Sequence, residues 1–126
     1  MAKLFFHILN ILLFIVYLYP GSLLGLLLYG NVSKQPQLTK DFIFSFSEIS
    51  SNHIYAFTLL SLIGLYSYSN IQKLIILYLF FISIVLELFH LMIPNRSFQF
   101  SDLFGNISGV LISILILILF NFWRKK

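Results

Sequence analysis

The sequence predicts an all-α membrane protein with four transmembrane helices and a short polar connector between the third and fourth helices. Three observations support this fold class: hydrophobic residues make up 60% of the 126 positions, charged residues only 10%, and the apolar residues fall into long runs. Soluble globular proteins contain roughly 25% charged residues. We therefore expect a single transmembrane domain over residues 1–126.

The lengths of the apolar runs predict the individual helices. A spanning helix requires about 20 mostly apolar residues, because the hydrocarbon core is about 30 Å thick and each residue rises about 1.5 Å. Pro20 and Gly21 interrupt the first run, so we expect a helix to about Tyr19, a kink and a short second helix. The predicted spans are about 4–29, 53–69, 74–93 and 103–122.

Between the first two spans, the segment "DFIFSF" (residues 41–46) is too aromatic for a free linker. We expect it to lie in the membrane interface.

The distribution of basic residues predicts the orientation. With four spans, both termini lie on the same side of the membrane. That side carries Lys3, Lys73, Arg124, Lys125 and Lys126, and the other side carries Lys34, Lys40 and Arg96. Because cytoplasmic segments are enriched in Lys and Arg, we expect a multi-pass protein of the cytoplasmic membrane with both termini in the cytoplasm.

Composition also excludes some classes of function. The chain has no cysteine, which rules out disulfides, thiol nucleophiles and thiolate metal sites. The net charge of +4 comes from scattered Lys and Arg rather than from a basic patch, so we expect no nucleic-acid partner.

Polar side chains near the outer ends of the predicted spans form a candidate ligand-binding site. An ionisable side chain inside lipid costs at least about 2.5 kcal/mol, so each one suggests a function. Glu87 and His90 are three residues apart and share a helix face. Asp102 and Asn106 are four apart, and also share a face. The candidate residues are His53, Glu87, His90, Arg96, Asp102 and Asn106.

The connector "IPNRSFQFSD" (residues 93–102) carries Arg96 between two apolar spans. Lipid offers no hydrogen-bond partners, so we expect this segment to dip back or lie flat and to satisfy its polar groups against other helices. Small residues recur at intervals of four, in Gly21 and Gly25 and again in Gly105, Gly109 and Ser113. Such spacing lets helices approach closely and permits a homo-oligomer.

Several of these segments occur in the order found in one protein family. The second span opens with "NHIYAF" (residues 52–57), the first contains "YPG" (residues 19–21), and Asp102, Asn106 and Gly109 follow the arginine of the connector. This arrangement resembles the VanZ-like family, which usually has Gln at the position of His90. The resemblance implies a small multi-pass protein of the bacterial cytoplasmic membrane, in a family associated with low-level teicoplanin resistance.

Three hypotheses for function remain open. In the first, the candidate residues bind a polar or anionic lipid-linked group at the outer leaflet, such as a cell-envelope precursor. Arg96 would hold a phosphate with its bidentate edge, and Asn106 and His53 would complete the hydrogen bonds. Changed access to precursors would then alter glycopeptide susceptibility.

In the second hypothesis the polar residues are a structural latch, with Arg96 paired to Asp102 or Glu87, and the protein can be a structural subunit of a membrane complex. The third is an intramembrane enzyme with Glu87 as general base beside His90, or with a metal held by carboxylates and histidines. The metal ligands would then be His53, Glu87, His90 and Asp102. We assign no catalytic residue, metal or cofactor from the sequence.

Overall fold

The computed structural model describes residues 1–44 and 47–124, and these are mostly helical. The helices are α1 (Ala2–Leu18), α2 (Leu23–Tyr29), α3 (Ser51–Ser67), α4 (Gln72–Phe89) and α5 (Phe100–Arg124). A 3₁₀ turn at Ser69–Ile71 precedes α4, and two short strands, β1 (Phe42–Phe44) and β2 (Ser47–Ile49), precede α3. The expectations for Ser45, Phe46, Lys125 and Lys126 lie outside the described residues.

The structure supports two or three membrane spans among the described residues. The segment Ser69–Phe89 (21 residues) contains an 18-residue stretch with a mean hydropathy of 2.1, and α5 (25 residues) contains one with a mean hydropathy of 2.5. Helices α1 and α2 together qualify either as one broken span or as a re-entrant loop. Helix α3 has 17 residues, fewer than the roughly 20 that a straight span requires. The helical membrane class is confirmed, whereas four transmembrane helices are not.

The chain turns sharply between α1 and α2, which are bent by 85° relative to each other. Pro20 cannot continue the helix, and Gly21 has a φ of +87°, a conformation that favours glycine. The side chain of Ser22 then caps α2 by accepting a hydrogen bond from the Gly25 amide at 2.9 Å. The turn leaves the last carbonyl groups of α1 available to other partners.

A small β-hairpin departs from the predicted all-α class. Strands β1 and β2 pair antiparallel, with Phe42 opposite Ile49. The Asp41 carboxylate accepts a hydrogen bond from the Ser51 amide at 2.8 Å, and the Ser50 amide donates to Ser101 O at 3.0 Å. These contacts attach the hairpin to the first turns of α3 and α5. Runs of three strand residues are too short for a period-two pattern to show in the sequence.

Helices α3 and α5 pack closely because glycines line their contact. A methyl group added at Gly105 would lie 2.6 Å from Ser50 O, and one added at Gly109 would lie 2.7 Å from Ile54 O. Farther along, Ser113 Oγ donates to Thr58 O at 3.0 Å. The predicted small-residue face therefore packs against α3 within the same chain. This packing brings the first turns of the two helices together.

Candidate functional site

The candidate site lies where α1 and α4 end and where α3 and α5 begin. We call the group of polar side chains at this point the polar cluster, which consists of Tyr17, His53, Glu87, His90, Asp102 and Asn106. Glu87 and Asn106 are fully buried, His90 is 2% exposed and His53 is 5% exposed. Asp102 is partly exposed, and Arg96 lies in the connector. The six residues predicted from the sequence thus lie at the same end of the molecule, on α3, α4, α5 and the connector.

Asn106 links three helices through its amide group. Its Nδ2 donates to Ser83 O on α4 at 3.1 Å, which orients its Oδ1 as an acceptor. Oδ1 accepts from the Tyr17 hydroxyl at 3.0 Å and lies 2.9 Å from His53 Nδ1. Two acceptors do not form a hydrogen bond, so His53 Nδ1 carries a proton. Asn106 therefore determines the tautomer of His53.

The other ring nitrogen of His53 faces a carboxylate. His53 Nε2 lies 3.6 Å from Asp102 Oδ2. With its proton on Nδ1, a neutral His53 directs a lone pair towards Asp102. This contact is stabilising if a proton lies between the two groups, on His53 Nε2 or on the Asp102 carboxyl, or if a cation lies there.

Glu87 uses one of its two carboxylate oxygens. Its Oε1 accepts a hydrogen bond from the backbone amide of Gln99 at 2.9 Å and lies 3.3 Å from His90 Nδ1. His90 Nε2 donates to Tyr17 O at 3.0 Å, which fixes the ring on α1. Among the described residues, Glu87 Oε2 is buried without a hydrogen-bond partner. A fully buried carboxylate oxygen without a partner is costly, because it has lost its hydration.

Among the described residues, Arg96 forms no salt bridge with a carboxylate, unlike the pairing with Asp102 or Glu87 that the latch hypothesis assumed. Its Nε donates to Tyr19 O at 3.2 Å and its Nη2 to Val16 O at 2.9 Å. These carbonyls end α1, where a helix has unpaired acceptors and partial negative charge. Burial lowers the pKa of the Arg96 guanidinium from its ordinary value, while the nearby acids Asp102 and Glu87 raise it. Arginine nevertheless remains charged in proteins.

Sequence reasoning missed Tyr17, whose ring lies between two of the predicted residues. It contacts His53 at a centroid distance of 5.0 Å and stacks on His90 at 6.0 Å. Its position three residues before Pro20 places it at the depth of the other polar groups, which is the signal that could have identified it. Tyrosine is common near membrane interfaces, so its presence there did not suggest a partner.

Asn52 lies outside the cluster although it neighbours His53. Its Oδ1 accepts from the Leu38 amide at 3.0 Å, and its Nδ2 donates to Pro36 O at 2.7 Å. Asn52 therefore attaches the long loop after α2 to the start of α3.

A family model described as VanZ/LLP1 matches residues 1–121. The chain belongs to the VanZ/LLP1 family. The resemblance inferred from the connector and the second span is thereby confirmed, and the family together with the apolar helices indicates a membrane protein. No curated protein and no solved structure matches the chain.

In this VanZ/LLP1 protein, three adjoining cavities surround the exposed side of the cluster. An apolar groove of about 400 Å³ and a polar crevice of about 120 Å³ share Ser22, Gln35 and Arg96 as wall residues. The crevice shares Gln35, Gln99 and Asp102 with a larger polar cavity of about 230 Å³. An open depression of about 600 Å³ at the opposite end contains none of the predicted site residues.

Proposed function

We propose that this VanZ/LLP1 protein binds an anionic lipid-linked group at the outer leaflet of the bacterial cytoplasmic membrane. One observation carries the proposal: Arg96 lies in the wall of both the apolar groove and the polar crevice. A cation at the boundary between apolar and polar surfaces suits a ligand whose hydrocarbon chain ends in a phosphate.

The groove has the size and composition of a site for a hydrocarbon chain. Its volume of about 400 Å³ lies within the range of about 300 to 1,000 Å³ that is typical of ligand pockets. Leu23, Leu24 and Leu28 line it from α2, and Ala56 and Leu59 line it from α3. The 85° turn between α1 and α2 allows α2 to form this wall.

Arg96 retains hydrogen-bond donors for a headgroup. A guanidinium has five N–H groups, and the two bonds to α1 use one on Nε and one on Nη2. The other three belong to the end formed by Nη1 and Nη2. The edge of the guanidinium formed by Nε and Nη2 is therefore bonded to the end of α1 and is not available for the bidentate phosphate contact expected from the sequence. A phosphate would bind the end formed by Nη1 and Nη2 instead. Lysine, a point charge, cannot reproduce both sets of contacts.

The larger polar cavity supports a headgroup that extends beyond the phosphate. Its wall includes the carboxylates of Asp41, Glu48 and Asp102 and the amide of Asn52. These groups accept hydrogen bonds from hydroxyl, amide or amine groups, which sugars and peptides carry. In a lipid-linked envelope precursor, a hydrocarbon chain is followed by a phosphate and then by a glycan. The apolar groove, Arg96 and the acidic cavity adjoin in the same order. Binding of such a precursor would change its access to glycopeptide antibiotics.

The first test compares lipid retention in four proteins purified in mild detergent. They are the wild type, Arg96→Lys, Ala56→Phe and the control Arg124→Lys, which makes the same exchange at an exposed position at the far end of α5. Each is incubated with a polyprenyl phosphate, phosphatidylglycerol or phosphatidylcholine, washed, and analysed by mass spectrometry of retained lipid. A melting curve is recorded for each protein.

We expect the wild type and Arg124→Lys to retain the anionic lipids and to discriminate against phosphatidylcholine. Arg96→Lys should lose that preference, and Ala56→Phe, which fills the groove, should lose retention of every chain. If Arg96→Lys melts lower, Ala56→Phe still tests the groove. Equal retention of the three lipids by the wild type would overturn the proposal and leave the arginine as a cap for α1.

A further inference from the structure

We propose that His53, Glu87 and Asp102 bind a divalent transition-metal cation within the polar cluster. One potential ligand atom from each of the three residues lies within 4.8 Å of the others. The residues come from α3, α4 and α5, so the packing of the helices forms the site. This inference goes beyond lipid binding and rests on a different set of side chains from the groove.

The hydrogen bonds around His53 prepare it as a metal ligand. Nδ1 lies 2.9 Å from Asn106 Oδ1 and 3.1 Å from the Tyr17 hydroxyl, whose own proton goes to Asn106. Nδ1 is therefore the protonated nitrogen, and Nε2 has the free lone pair. In metalloproteins a ligating histidine almost always donates its second N–H to an acceptor in this way. His53 therefore has both a free donor atom and an outer hydrogen bond that fixes its ring.

Glu87 supplies the second, independent observation. Its Oε1 accepts a hydrogen bond from the Gln99 backbone amide and lies 3.3 Å from His90 Nδ1. Its Oε2 is fully buried and has no hydrogen-bond partner among the described residues. A metal ion would use this oxygen and would compensate for its lost hydration. If Glu87 served only to order the connector, Oε1 would be sufficient, because Oε1 already accepts the hydrogen bond from the Gln99 backbone amide.

The distances are compatible with coordination after small side-chain rotations. Bond lengths of about 2.0 to 2.2 Å separate the ligand atoms of a tetrahedral zinc ion by about 3.3 Å. His53 Nε2 and Asp102 Oδ2 are already 3.6 Å apart. Asp102 also lines both polar cavities, which gives a hydrated ion a route to the buried ligands. Water or a headgroup oxygen would complete the coordination from the same side.

The donor set indicates the class of ion. One imidazole and two carboxylates suit Zn²⁺ and related first-row ions, whereas Mg²⁺ and Ca²⁺ prefer oxygen ligands alone. Two carboxylates balance the charge of a divalent ion. We therefore choose Zn²⁺ as the first ligand to test and Co²⁺ as its spectroscopic substitute, with Mg²⁺ as the comparison.

The test measures metal uptake by the full-length protein in detergent. Protein stripped with a chelator is titrated with Zn²⁺, Co²⁺ or Mg²⁺, and bound metal is quantified by mass spectrometry after gel filtration. The variants are Glu87→Gln and Asp102→Asn, which keep side-chain size and remove charge. The control is His7→Gln, which removes an exposed imidazole near the start of α1, away from the cluster.

We expect about one Zn²⁺ per wild-type chain, no retained Mg²⁺, and a visible Co²⁺ spectrum typical of nitrogen and oxygen ligands. Glu87→Gln and Asp102→Asn should weaken Zn²⁺ binding more than the 10- to 100-fold loss that is roughly typical of an outer partner. His7→Gln should bind Zn²⁺ like the wild type. Zn²⁺ should also raise the melting temperature of the wild type, because it binds only the folded state.

Three results would overturn the proposal. The first is wild-type protein that retains no Zn²⁺ and shows the spectrum of hydrated Co²⁺, which would assign the close approach of His53 and Asp102 to a shared proton. The second is equal uptake by the wild type and Glu87→Gln, which would make the metal adventitious. The third is a wild-type melting temperature that Zn²⁺ leaves unchanged. The first and third use wild-type protein and stay decisive if a variant fails to fold.

Discussion

Replacement of Asn106 by alanine tests whether the polar cluster holds the helices together. The substitution removes the hydrogen bonds to Tyr17, His53 and Ser83, which lie on three different helices. Interhelical hydrogen bonds in a membrane protein contribute about 0.6 kcal/mol each on average. Three of them give about 2 kcal/mol, and the buried groups left without partners add about 1 to 3 kcal/mol. We expect the free energy of unfolding to fall by about 3 to 5 kcal/mol.

The measurement is unfolding in mixed micelles with increasing denaturing detergent, followed by far-ultraviolet circular dichroism. Asn121→Ala is the matched control, since Asn121 is exposed on the same helix. Surface changes of this kind usually stay within about 0.5 kcal/mol. Tyr17→Phe and the double variant complete a cycle, whose coupling we expect to be about 0.6 kcal/mol. If Asn106→Ala unfolds like Asn121→Ala, the cluster does not stabilise the fold and our reasoning is wrong.

Three further predictions use the same unfolding measurement. Gly109→Ala should lower the free energy of unfolding by about 1 to 3 kcal/mol, because the added methyl would lie 2.7 Å from a backbone oxygen of α3. Ser108→Ala should change the free energy of unfolding little. Equal stability of the two variants would contradict close packing of α3 and α5. The free energy of unfolding of His90→Gln should stay within about 1.5 kcal/mol of the wild-type value, because the glutamine amide can still donate to the Tyr17 carbonyl. His90→Leu, which cannot donate, should lose about 1 to 3 kcal/mol. Similar losses in the two variants would show that this hydrogen bond is unimportant. In metal-free buffer, Glu87→Gln should leave the free energy of unfolding unchanged or raise it, because Glu87 Oε2 is buried without a hydrogen-bond partner among the described residues. A loss above about 2 kcal/mol would refute this.

Helix periodicity made part of the candidate site predictable. A spacing of three or four residues places two side chains on one face of a helix whatever surrounds it. For that reason Glu87 could be grouped with His90 and Asp102 with Asn106, and their order along the chain placed both pairs at one end of the bundle. The same local logic located the break at Pro20, because proline disrupts a helix through its own covalent structure.

The partners of these residues could not be predicted in the same way. Asn106 bonds to Tyr17, which is 89 positions away, and Arg96 donates to Val16, which is 80 positions away. Such pairs depend on the direction in which each helix leaves its turn and on the face that it packs. Electrostatic expectation favoured a carboxylate for Arg96, but the bend after α1 makes backbone carbonyls available nearer to it.

The sequence by itself determined that this chain is a helical membrane protein of the VanZ/LLP1 family, because apolar composition, run length and motif order are properties of the chain alone. Only the tertiary structure decided that α3 is short, that a hairpin precedes it, and that the Glu87 carboxylate lies near His53 and Asp102. It also decided that Glu87 Oε2 has no hydrogen-bond partner among the described residues. These features depend on distances of a few ångströms between distant segments. Helix packing determines such distances, and no local pattern in the sequence encodes them.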